Sequence, residues 1–556
     1  MPKLYVEPKK PISASTLTKL FQHSTDAQPA TSTAVVPRKA RTAGIVSIIT
    51  IVVAATGALR EAALAGHFGI SSTMDAYFAA IFIPNILYLV LIAGTLSPIF
   101  IPILLQENPE TDPHSASITF SVMTNFALLT FVVVVLLGTL GARLWLPWLF
   151  PGFSPPTMEL AVRLVYIVFP ALPFLAAAGI FTAVLNGFHK FLLPASAPAV
   201  SSICVIAAAL YFHGEWAIYS VAIATALGFV LQCMVLLPGT ASLPITYHLT
   251  FNFRHPAVSK LLRLGIPLFL YLAVSSFSGV LERNFASRIS AGALSTLTYA
   301  LRLFTMPANF LAAPLAVVAY PAFAREAARE QRGELSGQVS KLFRLVIFVF
   351  LPATVWMVLN APAVTRILYE HGRFSFSDAQ ITSHILSIYS LGIVPNAIAV
   401  VLLRCFFAIE DTMSPLLAEV ANLGLFVILA GFLSSRFGIT GLVTAKSMTY
   451  FFVAGILIFV LARRDLLKVS GIVLFLSRTT AAAAALGIVN WSIWRMAQPM
   501  FDSGNVLLKL AITSCGLAIS AAIYLGAALL LQLGEARQII HTVLDLFPGR
   551  SGRAGT

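Results

Sequence analysis

The sequence predicts an all-α polytopic membrane protein of about fourteen transmembrane helices, arranged as two parallel six-helix lobes around a central cavity plus two C-terminal helices. Scarcity of charge, recurrence of long apolar runs and an internal repeat point to it. Of the 556 residues, 58% are hydrophobic and 10% charged, whereas a soluble globular domain carries roughly 25% charged residues. Apolar runs near the ~20 residues needed to cross a bilayer recur from Thr42 to Leu531. Each is expected to be helical, because a lone strand in lipid leaves its backbone groups unpaired and no barrel-type alternation is present.

The expected spans are 43–67, 74–104, 117–141, 159–188, 193–212, 216–237, 258–289, 294–324, 340–360, 381–408, 414–434, 438–462, 471–495 and 506–531. They divide the chain into a basic, Ser/Thr/Pro-rich disordered arm (1–41), a first lobe (42–237), a cytoplasmic linker (238–257), a second lobe (258–462), a C-terminal helix pair (463–531) and a tail (532–556). The arm lacks the apolar core of a signal peptide. In the tail, Ile539–Leu546 reads as a short amphipathic piece for the bilayer surface. The net charge of +14 follows topology and forms no soluble basic domain, so nucleic acid is not an expected partner. By the positive-inside rule it places both termini in the cytoplasm. Cys204, Cys233, Cys405 and Cys515 are scattered through spans with no metal or disulfide spacing.

The repeat rests on intervals. Arg60, Pro84 and Pro98 recur as Arg283, Pro307 and Pro321 at an offset of 223 residues, and Pro194 recurs as Pro415 at an offset of 221. Six spans separate the copies, so orientation is preserved and the lobes are parallel. Such a pair suits alternating access, in which the lobes rock about a midplane site.

Charges inside spans normally face a cavity or each other. The candidates are Arg60, Glu61, Asp75, Glu282, Arg283, Arg302, Arg404 and Glu419. Arg60 and Glu61 are sequence neighbours, about 100° apart on a helix, so each is expected to find its partner elsewhere. The repeats carry their pairs in opposite order, Arg60-Glu61 and Glu282-Arg283, which makes a cross-lobe pair such as Arg60 with Glu282 plausible. Glu61 and Glu282 read as cavity groups or as latches. Arg60, Arg283 and Arg302 read as a cationic lining able to bind phosphate through paired N–H donors.

Asp75 starts its span, as a helix-dipole charge or a gate. Glu419 and Asn422, one turn apart, are candidates for ion coupling or for plain inter-helix hydrogen bonding. Asp411 and Thr412 precede Pro415 at a helix start and read as structural. The loop YEHGRFSFSD (369–378) is compact and holds His371, an isolated histidine that does not by itself make a pH sensor. No P-loop, zinc motif or nucleophile elbow is present, so neither a catalytic site nor a cofactor is expected.

The stretches GALREAALAGHFGISSTMDAYFAAIFIPNIL, GTLSPIFIPIL, LNGFHKFLLPASAP, TYALRLFTMPANFLAAPLAVVAYPAFAR, LYEHGRFSFSDA and LLRCFFAIEDTMSP occur in this order across most of 43–530. Together they resemble the MurJ/MviN lipid II flippases of the multidrug/oligosaccharidyl-lipid/polysaccharide exporter superfamily. The resemblance implies a central cationic cavity, and a C-terminal helix pair with a lateral groove for a lipid tail. The implied substrate is a lipid-linked glycan, lipid II first, moved to the outer leaflet of the bacterial inner membrane with membrane potential or an ion gradient as driving force. By motif position Arg60, Asp75 and Arg302 match family residues of functional weight. Ala54, Tyr88 and Ala93 stand where relatives commonly place charges. The alternatives are a paralogous flippase for an exopolysaccharide or O-antigen lipid-linked glycan, and a transport-dead scaffold for cell-envelope synthesis proteins.

Overall fold

The computed structural model describes residues 35–538, apart from 90–96, 108, 110, 213, 330, 469–470 and 504. Ala93, most of the expected arm and Ile539–Leu546 lie outside the described residues. The chain divides into two compact units within its first helix, after Val52. The second unit, from Val53 on, holds the remaining helices and the charges inside the spans.

Helices dominate the described residues. The amino-terminal half comprises α1 (Val35–Phe68), α2 (Ser72–Leu87), α3 (Ser97–Gln106), α4 (Pro113–Leu140), α5 (Ala142–Leu149), α6 (Pro155–Val168), α7 (Leu172–Gly187), α8 (Leu192–Tyr211) and α9 (Ala217–Ala241). The carboxy-terminal half comprises α10 (Pro256–Ser287), α11 (Ala293–Pro307), α12 (Ala313–Ala328), α13 (Arg332–Tyr369), α14 (Phe376–Ser390), α15 (Ile393–Ala408) and α16 (Met413–Arg463). It is followed by α17 (Ile472–Ser503) and α18 (Val506–Leu530). Helices α7, α8 and α9 pack together, as do α13 to α16, and the pair α17–α18 leans on α13. The halves meet where α2 touches α11 and where α10 touches α3, α4 and α5. Many side chains facing away from these contacts are large and apolar, among them Leu137, Leu140, Leu227, Ile488 and Leu530. A surface of this kind fits lipid, and the protein is a multi-pass membrane protein.

The expected count of fourteen spans is not reproduced helix for helix. Among the described residues nine helices are long and apolar enough to cross a membrane, or ten with the bent pair α14–α15 taken as one. Prolines are one reason. A proline lacks the N–H that a helix interior requires, and wide π-type turns follow Pro84 at 88–89 and Pro307 at Ala308–Ala312. Two expected spans are conversely merged in α16, where Gly438 (φ 55°, ψ −135°) turns the chain back on itself.

Positions at the repeat intervals share backbone turns, though the same helix closure also occurs at Asp465 and Gln532. Gly69 and Gly292, 223 residues apart, both have positive φ, as do His189 and Glu410, 221 apart. Each of the latter closes its helix alike: the N–H groups of His189 and Lys190 reach Asn186 and Leu185, and those of Glu410 and Asp411 reach Phe407 and Phe406. Residues 246–250, within the expected linker, are held along α4. Ser117 and Ser121 accept the N–H groups of Thr246 and His248 at 2.9 and 2.8 Å, and Asn125 donates to the Thr250 carbonyl at 2.8 Å.

Candidate functional site

The charged residues expected at the site converge where α1 and α2 face α10 and α11. Glu61, with 6% of its side chain exposed, lies between two guanidinium groups: Arg60 Nη2 at 2.6 Å and Arg302 Nε at 3.4 Å from Glu61 Oε1. Two expectations are corrected here. Arg60 and Glu61 do neutralise each other, because the long arginine stem wraps the separation that their Cα positions impose. Arg60 does not pair with Glu282, which is buried in the carboxy-terminal half and accepts a hydrogen bond from the Tyr389 hydroxyl on α14. The contact across the halves is instead Glu61 with Arg302. Arg302 keeps 42% of its side chain exposed, so its outer edge remains open to a ligand.

Arg283 is held differently. Its Nη1 donates to the Gly279 carbonyl at 3.1 Å, and its guanidinium sits 4.0 Å above the Phe82 ring of α2. No carboxylate bonds it among the described ion pairs. Glu61 pairs with Arg60 and Arg302, and the buried Glu282 carboxylate acts on Arg283 electrostatically, so three arginines face two carboxylates and leave a net positive charge that an oxyanion can neutralise.

Asp75 is a latch between halves. Ser71 caps its own helix, accepting from Met74 N–H, which frees the buried Asp75 carboxylate. It accepts the N–H groups of Gly292 and Ser295 at 2.6 and 2.7 Å, so it caps α11, where a negative charge is favoured by the free N–H groups and the dipole. Between this latch and Glu61 lies an aromatic plug: Phe78 and Tyr299 with centroids 5.4 Å apart, then Tyr369 and Phe374 at 5.0 and 5.6 Å from Tyr299.

The loop after α13 closes the same end. Arg373 N–H donates to the Gly66 carbonyl at 2.7 Å, and His371 Nε2 lies 2.9 Å from the Ala62 carbonyl. Glycine is required at Gly372 (φ 61°), where a Cβ would fall 2.2 Å from the Gly66 carbonyl oxygen; a Cβ on Gly66 would fall 2.4 Å from the His371 ring, which can shift. His371 is thus part of a clasp on α1.

Glu419 and Asn422 lie away from this seam, on α16, with Asn422 Nδ2 donating to Glu419 Oε1 at 3.3 Å. Asp411 is structural: it accepts from the Ser414 N–H and hydroxyl and pairs with Arg464 at 2.6 Å. Partial burial raises its proton affinity, but the Ser414 hydroxyl and N–H and the Arg464 guanidinium outweigh that and hold the carboxyl below its ordinary range. Sequence reasoning missed Lys446, the one basic side chain among the described residues that is buried; a lysine inside the expected span 438–462 was the available signal. It also missed the aromatic plug, which no spacing betrays.

Comparison with known proteins places these features. The family model for "Lipid II flippase MurJ" matches residues 64–512. A lipid II flippase MurJ of Burkholderia cenocepacia is 27% identical over 379 residues, covering 66% of this chain and 73% of that protein. A probable lipid II flippase MurJ of Vibrio cholerae is also 27% identical, over 88% of this chain and 95% of that one. A solved lipid II flippase MurJ in an inward closed conformation superposes with a TM-score of 0.71 at 24% identity, covering 86% of this chain and 98% of the other. An inward-facing multidrug MATE transporter of the MOP superfamily shares the fold at 14% identity, with a TM-score of 0.62 and coverage of 75% and 98%. With its ordered motifs and most of its length matched, the chain belongs to the lipid II flippase MurJ family.

Proposed function

We propose that this protein flips lipid II, a polyprenyl-diphosphate-linked glycan, from the inner to the outer leaflet of the bacterial cytoplasmic membrane by alternating access. Both termini lie in the cytoplasm. The observation that carries the reading is the arginine set on the seam, Arg60, Arg283 and Arg302, with Glu61 as its bonded counter-charge. A diphosphate offers several acceptor oxygens to guanidinium forks, and each charge-assisted hydrogen bond contributes about 1.5–3 kcal/mol. Diphosphate on Arg302 competes with Glu61, so binding the substrate loosens a contact that holds the halves together. The end closed by Asp75, the aromatic plug and the 370–375 loop faces outward. Membrane potential or an ion gradient drives the return, acting on charges carried by the protein and its cargo. Proteins of cell-envelope synthesis are partners under this reading.

Replacement of the resident lipid II flippase in a depletable bacterium tests it. The wild-type chain restores growth and Arg302→Ala, inserted at equal level, does not. Growth with Arg302→Ala equal to wild type removes Arg302 from substrate handling, and failure of the wild-type chain despite membrane insertion removes lipid II as the cargo.

A further inference from the structure

Lys446 is buried, 7% exposed, in the second segment of α16. The turn at Gly438 folds that segment back, so residues far apart in sequence share one pocket. The Lys446 ammonium donates to the Ser278 hydroxyl of α10. It lies 5.2 Å from the Phe426 ring centre and 5.4 Å from that of Tyr450, within the range at which a cation is attracted to an aromatic face. Glu419, in the first segment of α16, is within its electrostatic reach and bonds to Asn422. The Asn422 Oδ1 atom is buried with no donor, although a buried amide oxygen ordinarily has one.

The Ser278 hydroxyl that the ammonium reaches, and the Glu419 carboxylate and Asn422 amide oxygen that it does not touch, are oxygen donors of the kind a small cation takes. Here a cation is already present, attached to the chain. Its charge opposes entry of a second positive ion at short range in a low-dielectric interior.

We propose that the carboxy-terminal half carries its own cation: the Lys446 ammonium, bonded to Ser278 and within electrostatic reach of Glu419, keeps a free monovalent metal ion from the oxygen donors Ser278, Glu419 and Asn422. This deepens the reading of the protein as a transporter driven by potential or ions, and rests on it for its consequence. A tethered charge is a load for the membrane potential but cannot be exchanged with solution, so this half works without binding sodium or lithium.

The test is cation-specific stabilisation of the purified full chain, which needs no transport and is therefore independent of the cargo. Thermal unfolding midpoints are compared in choline, sodium, lithium and potassium chloride at equal ionic strength. The wild type shows one midpoint in all four. Lys446→Ala, which vacates the pocket but leaves Glu419, gains a rise of at least ~2 °C in one metal cation over choline, and Lys446→Ala with Glu419→Gln loses that gain. A cation-specific rise in the wild type, or no cation response in folded Lys446→Ala, overturns the proposal. Should Lys446→Ala not fold, Glu419→Gln is compared with Lys446→Met/Glu419→Gln. The double variant is the more stable of the two if Glu419 balances the ammonium, and equal or lower stability overturns the pairing.

Discussion

Asp75 shows how much one carboxylate does at this seam. Its two oxygens satisfy two N–H groups at the start of α11, and hydrogen bonds to a charged acceptor contribute about 1.5–3 kcal/mol. Asn at this position keeps the shape but loses the charge and turns an amide N–H toward a donor. Asp75→Asn is expected to weaken the closed end by about 1.5–3 kcal/mol, read as faster hydrogen exchange in peptides covering 290–298. Unchanged protection there would show that the latch contributes nothing to closure. Glu61 works at the same scale: one oxygen serves two arginines while Glu61 Oε2 has no donor. It is a counter-charge shaped for exchange more than for rigidity.

At the scale of elements, the loop between α13 and α14 is a clasp built from backbone. Gly372 cannot take a side chain, both because φ is 61° and because the Gly66 carbonyl lies in the way. Gly372→Ala should lift the loop from α1 and free the backbone at the already exposed Arg373 for trypsin, whereas Gly66→Ala should do so less, because only a movable imidazole ring opposes it. Equal resistance of Gly372→Ala and wild type to cleavage after Arg373 would refute the clasp. The strap at 246–250 uses the same economy. Ser117, Ser121 and Asn125, spaced by four along α4, present one polar row to an extended segment. On the far edge of the fold, Arg366 of α13 bonds both Glu370 and Asp502 of α17, which anchors the C-terminal pair.

For the whole molecule, closure at this end must be reversible if the halves alternate. Ile70 and Gly292 allow a lock: a Cβ built on Gly292 lies 3.8 Å from the Ile70 Cβ, close to the separation of a disulfide. The atom that crowds it is the Ile70 Cγ2, which Ile70→Cys removes. Gly292→Cys carries the strain of a φ of 83°, so that single variant sets the baseline: Ile70→Cys with Gly292→Cys should match its growth in place of the resident flippase under reducing conditions and lose it on oxidation, with each single variant indifferent to redox state. Growth of the oxidised, demonstrably cross-linked variant would exclude opening at this end from the cycle.

Much of this was legible in residues. Apolar runs specify helices because lipid offers the backbone no other partner, and the intervals around Arg60 and Arg283 predicted a duplication that the paired positive-φ caps at His189 and Glu410 repeat. Arg60, Glu61, Asp75, Arg283 and Arg302 were all singled out by their cost in a membrane. Their partners were not legible. Pairing depends on helix rotation, side-chain reach and the turn at Gly438, and single-sequence periodicity carries none of these. So the sequence by itself determined that this is a helical membrane protein with costly charges at named positions, and predicted a duplication from its intervals. Only the tertiary structure decided that Glu61 joins Arg60 to Arg302, that Asp75 caps α11, and that Lys446 meets Ser278, because these contacts join segments whose separation along the chain says nothing of their distance in space.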